Sequence, residues 1–116
     1  MILNERKEYG NRLRKLDNAR EELKEKFEKF MDGEFVQFDR VENKLHRRQD
    51  ICAFLILSEL APSDKFDIVI GAEHDVIYLS VNLVELAQNA TEDHIRDLVR
   101  CGVMFDEDTD CLSMFV

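Results

Sequence analysis

A heptad series runs from Ile2 to Phe30 with no proline to interrupt it. Ile2, Tyr9, Leu16, Leu23 and Phe30 hold one position, and Arg6, Leu13, Arg20 and Phe27 hold the companion position three residues earlier. Residues so spaced line one stripe of an α-helix, and the arginines can lay their stems along it while their heads stay in water. The Lys, Glu, Arg and Leu between them favour helix, and Gly10 costs only about 1 kcal/mol relative to Ala. Such a helix spans roughly 40 Å at ~1.5 Å per residue, more than a 116-residue globule of ~13–14 Å radius of gyration can cover. Part of it is therefore expected to project or to pair. Tyr9, Leu13, Leu16, Leu23, Phe27 and Phe30 are the candidate dimerisation residues of an expected homodimer, with Leu16 and Leu23 as its central pair.

Asp32-Gly33 signals a turn, and beyond it Phe38, Val41, Leu45, Cys52 and Leu55 recur at helical spacing, with Arg48 in the one polar slot. This predicts a second helix. From Ile51 to Ala61 it is apolar on nearly every face, which predicts the buried centre of the protein. Pro62 ends it, because proline has no amide to donate and pushes Ala61 out of the helical region.

The period then changes. Phe66 to Ile70 and Val76 to Val81 are rich in β-branched and aromatic residues and read as a hairpin, with 71–75 between them. Asn82 is placed to cap a helix over 83–89, and Thr91 another over 92–101 that stops at Gly102. Val103 to Phe105 and Cys111 to Val116 read as a second hairpin with its tip at 106–110. The predicted class is α+β, a single domain with a helical coiled-coil-like region over 1–61 and an acidic unit of hairpins and short helices over 62–116.

Charge also divides the chain, about ten residues earlier. Residues 1–50 carry 13 Lys or Arg against 12 Asp or Glu, and residues 51–116 carry 3 against 13, so the two parts bear about +1 and −10. Mixed charge on a long helix is ordinarily a solvated face, whereas an excess of carboxylates repels phosphate and attracts basic surfaces. No run approaches the ~20 apolar residues of a membrane span, and Met1 to Lys7 lacks the apolar core of a secretory signal, so no membrane partner and a cytoplasmic location are expected. Cys52, Cys101 and Cys111 form no C-x-x-C pair and read as reduced thiols.

Templates for chemistry are largely unmet. Asp106-x-Asp108-x-Asp110 has the spacing that opens a calcium loop, but Cys111 stands where the glycine belongs. His46, His74 and His94 contain no i, i+4 pair, no glycine-rich phosphate loop exists, and no serine has nucleophile-elbow glycines. Neither a cofactor, a metal nor an enzymatic activity is expected.

Over residues 78–116, the order strand, helix, capped helix, Gly102 and hairpin, with Glu85-Leu86-Ala87 in the first helix, resembles a winged helix-turn-helix domain. In that family the helix after the turn enters the major groove. Here that helix would begin Thr91-Glu92-Asp93-His94 and the wing tip would be Asp106-Glu107-Asp108-Thr109-Asp110. Arg96 and Arg100 do not offset the neighbouring acids, so no direct contact with nucleic acid is expected through this face. The ending from Thr91-Glu92-Asp93-His94-Ile95-Arg96 through Cys111-Leu112-Ser113-Met114-Phe115-Val116 also resembles small accessory proteins of tailed bacteriophages. That resemblance implies action in the infected cytosol and antagonism of a host defence, of anti-CRISPR or anti-restriction type, and it supplies no catalytic residues.

The expected function is a non-enzymatic inhibitor or adaptor. Glu92, Asp93, Asp106, Glu107, Asp108 and Asp110 would meet a basic protein surface, such as the nucleic-acid-binding face of a host protein or complex. A homodimeric coiled-coil scaffold and a winged-helix regulator are the alternatives.

Overall fold

The computed structural model of the chain describes residues 2–62 and 67–116, with side chains from residue 10 onward. Helix α1 runs over Ile2–Glu34, and its last turn is broken where Asp32 (ψ 108°) and Gly33 (φ 96°) leave helical geometry, at the predicted turn. Thirty-three residues at about 1.5 Å each give a helix nearly as long as the molecule, whose extents are 53 × 25 × 25 Å. The heptad stripe does not stay free. Ala19, Leu23 and Phe27 are buried within the chain's own core, and Leu16 and Phe30 pack against it.

After a 3-10 turn over Phe38–Arg40, helix α2 spans Gln49–Leu60, so the second helix starts later than its periodicity predicts. Val41 is buried as that pattern requires, but Leu45 is exposed. Local side-chain bonds compete with a helical backbone here. The Arg48 amide donates to His46 Nδ1 at 2.9 Å, and Lys44 Nζ donates to the Val41 carbonyl at 2.7 Å while lying 5.2 Å from the Phe38 ring centre. Within α2, Cys52, Ala53, Ile56, Leu57 and Leu60 point inward. Leu55 is 40% exposed and Phe54 is only half-buried, which corrects the expectation of a helix buried all round.

Strands β1 (Val69–Glu73) and β2 (Val76–Leu79) form the first hairpin, tighter than predicted, with His74-Asp75 as its turn and His74 at φ 55°. A bulge between Val69 and Gly71 takes up the extra residue. Phe66, predicted to open the first strand, lies outside the described residues. Helix α3 spans Leu83–Asn89, and its Asn82 cap accepts from the Glu85 amide at 3.0 Å. Helix α4 spans Glu92–Arg100. Its N-terminus is closed by a capping box in which His94 plays the part usually taken by Glu or Gln. Thr91 Oγ1 accepts from the His94 amide at 3.3 Å, and His94 Nδ1 accepts from the Thr91 amide at 3.0 Å.

Strands β3 (Val103–Asp106) and β4 (Cys111–Phe115) complete an antiparallel sheet of order β1-β2-β4-β3. Register sets Leu79, Leu112 and Phe105 in one row and Ile77, Met114 and Val103 in the next, and these rows join the helical core. The strand β2 thus pairs with the second strand of the hairpin that follows α3 and α4, a winged-helix-like arrangement. To it the chain adds β1 at one edge and α1 packed across α3, α4 and β3.

Gly102 turns the chain from α4 into β3 at φ 94°, and a Cβ there would lie 3.1 Å from Gln49 Nε2 and 3.3 Å from the Phe115 carbonyl. Gly102→Ala is therefore expected to cost at least about 1–2 kcal/mol from the left-handed backbone alone, read as a lower urea midpoint at unchanged slope.

Candidate partner-binding face

The acidic residues singled out in the sequence fall on two flanks of α1. Lys24 and Lys29 project roughly 140° apart around the helix. Lys24 Nζ meets Glu107 at 2.6 Å on the hairpin tip, and Lys29 Nζ meets Glu92 at 2.9 Å at the start of α4. Each lysine holds its glutamate below the ordinary carboxylate range through a charged hydrogen bond. Asp93 is exposed and pairs with Arg96 at 3.1 Å within α4. Glu92 and Asp93 are thus separated by α1 from the hairpin acids, and the six do not form one continuous face.

The hairpin tip gathers the other four. Asp106 is half-buried rather than exposed, and its Oδ1 accepts from the Asp108 amide at 3.0 Å, so this carboxylate shapes the turn. Asp110 takes φ 51°, a left-handed geometry that Asp tolerates better than most residues. Asp108 and Asp110 are exposed and make no ion pair among the described residues.

The structure adds residues that the sequence reading passed over. Glu21, Glu25, Glu28 and Asp32 follow the i, i+4, i+7, i+11 spacing, lie within about 60° of one another on the helix, and are all exposed. They form the back of α1, opposite the stripe that holds Leu23 and Phe27. Glu28 lies beside Glu107, which joins this stripe to the hairpin tip. Between them is a cleft of about 220 Å³ lined by Arg20, Glu21, Lys24, Phe105, Glu107 and Asp110. Its sequence signal was the absence of cations from four successive outward positions, hidden within a segment whose total charge is balanced.

Of the six candidate dimerisation residues, Leu23 and Phe27 are inside the core, Leu16 and Phe30 lean on it, and Leu13 is exposed. The Tyr9 side chain lies outside the described residues. Pairing through Leu16 and Leu23 would require α1 to leave this core.

Cys52 and Cys101 are buried and Cys111 is half-buried, all three as free thiols. Cys101 neighbours Cys52, and burial pushes its thiol far above the ordinary range. That environment suits packing and opposes thiolate chemistry. Among the described residues no group of three or more His, Cys, Asp or Glu side chains is arranged to hold a metal ion.

Arg100 fixes the far end of α1 to the rest of the molecule. Its Nε donates to Glu34 Oε2 at 2.6 Å, its Nη1 donates to the Arg40 carbonyl at 3.0 Å, and Asp97 lies 3.6 Å from Nη1. The Arg100 hydrogen bond holds the Glu34 carboxyl below its ordinary value of 4.5. A carboxylate lowered in the folded state contributes stability that is present above its unfolded value and lost as pH falls through the folded one. Glu34→Gln is therefore expected to destabilise the protein at neutral pH, and the gap between the two proteins should close as pH drops below 4.5. Urea midpoints across that range check this.

No described helix is long and apolar enough to cross a membrane. Comparison with protein-family models, with curated proteins and with solved structures finds no match to this chain.

Proposed function

We propose that this protein is a non-enzymatic inhibitor or adaptor. It captures a partner with a basic surface, such as the nucleic-acid-binding face of a protein, through the acidic back of α1 and the β3–β4 tip. One observation carries this: Glu21, Glu25, Glu28 and Asp32 form an exposed row on α1, which meets the hairpin tip where Glu28 lies beside Glu107 and where Glu21, Glu107 and Asp110 line a cleft with Phe105, Arg20 and Lys24. An arginine side chain there gains carboxylate partners in Glu21 and Asp110 and an aromatic contact with Phe105. The row attracts basic partners over several ångströms, and the ring supplies the apolar contact that holds them.

Winged-helix recognition of DNA gains no support, because α1 already packs across α4 and its first-turn acids face solvent. Action as a phage-borne antagonist of a host defence would use the same contact, with the acids standing where phosphates would otherwise lie.

An amide-shift titration with an oligo-arginine peptide tests the assignment. Shifts grouped over residues 21–32 and 105–111 are expected. Shifts grouped on any other surface would overturn it.

A further inference from the structure

The two edges of the sheet are treated differently. Strand β3 is flanked by α1, which packs on it and ties Lys24 to Glu107. Strand β1 has β2 on one side and, among the described residues, nothing on the other. Its backbone is open in a defined way. The two-residue turn makes Glu73 with Val76, and Gly71 with Tyr78, the hydrogen-bonded pairs, so Ala72 between them turns its N–H and C=O outward.

Devices that ordinarily blunt such an edge are mostly missing. From Asp67 to Asp75 there is no Pro, Lys or Arg, and Val69 and Ile70 are 42% and 59% exposed. The charges present are all negative: Asp67, Glu73 and Asp75 bracket the apolar run.

Those charges select among occupants. A second copy pairing antiparallel about Gly71 would set Asp67 opposite the second copy's Asp75, twice over, and like charges directly opposite destabilise a ladder. An extended segment that alternates apolar with Lys or Arg residues meets the same edge with apolar contacts at Val69 and Ile70 and opposite charges at Asp67, Glu73 and Asp75. We infer that β1 is a docking edge that adds to the sheet, as a fifth strand, an extended basic segment of another protein. Strands β1 and β3 are the opposite edges of the sheet, with β2 and β4 between them, so docking along β1 does not depend on whether the β3–β4 tip contacts a partner.

The test uses the full chain and a short peptide alternating Val and Lys, with binding read by amide hydrogen exchange and by titration. The expected result is saturable binding that protects the Ala72 amide. Ala72→Pro removes an N–H that β2 does not use and should weaken binding about tenfold or more. Ile70→Lys, at an exposed position, should do the same by repelling the basic strand, and it keeps the test decisive if the proline variant is unstable. Equal binding by Ile70→Lys would overturn the proposal, as would equal binding of a peptide alternating Val and Glu. Concentration-dependent self-association that Ile70→Lys abolishes would also overturn it, by making the second copy the occupant.

Discussion

Replacing Phe27 by Ala is expected to cost the protein about 3–5 kcal/mol, the usual penalty for emptying a buried aromatic site. Phe27 is 1% exposed in a core shared by α2, α3, α4 and the sheet. It sits between Leu23, one turn earlier, and the half-buried Phe30. The lost contacts therefore lie at the junction between α1 and the winged-helix-like unit. A loss of that size is a large fraction of the stability of a domain of this length. It should appear as a fall of well over ten degrees in melting temperature by about 4–8 °C per kcal/mol. The control is Leu13→Ala, on the same heptad stripe but exposed, which should shift stability by no more than about 0.5 kcal/mol. A similar effect of the two substitutions would mean that α1 is not docked as described.

The second large effect concerns charge. Glu25→Gln, Glu28→Gln, Asp108→Asn and Asp110→Asn together remove four carboxylates from the proposed face and leave its supports intact. Asp106 holds the turn and Glu107 is tied to Lys24, so both are kept. Asn at position 110 also suits the φ of 51°. Association with an oligo-arginine peptide is expected to slow by about tenfold or more, because focused charge raises encounter rates by roughly 10–10³. A matched variant, Asp39→Asn, Glu42→Gln, Asp50→Asn and Glu59→Gln, makes the same change in net charge away from both proposed surfaces and should slow it far less.

Much of the fold was legible because local signals were strong. The turn at Asp32-Gly33, the caps at Asn82 and Thr91, the stop at Gly102 and the final hairpin each carry a specific chemistry in one or two residues. The long helix was equally plain, but the destination of its stripe was not. A seam of Leu16, Leu23 and Phe27 can close against a second helix of another copy or against α3, α4 and β3 of its own chain, and periodicity does not distinguish the two. The segment before α2 misled for a related reason. Phe38 and Val41 sit at helical spacing, yet a 3-10 turn and the His46 and Lys44 hydrogen bonds bring Val41 into the core without a helix.

The candidate face was legible in half. The acidic tip stood out as a run of carboxylates, whereas the stripe on α1 was masked by the lysines that flank it on the same helix. Lys24 and Lys29 balance the segment on paper, but in the structure they are already paired with Glu107 and Glu92. The acids behind them keep their field.

The most direct measurement is the rate constant for association with oligo-arginine, taken from low to physiological ionic strength for the native protein and the two charge variants. Capture by the acidic face predicts a steep fall with salt for the native protein and the matched control, and a slower, flattened dependence for the variant at positions 25, 28, 108 and 110. Equal rates and equal salt dependence in all three would contradict it.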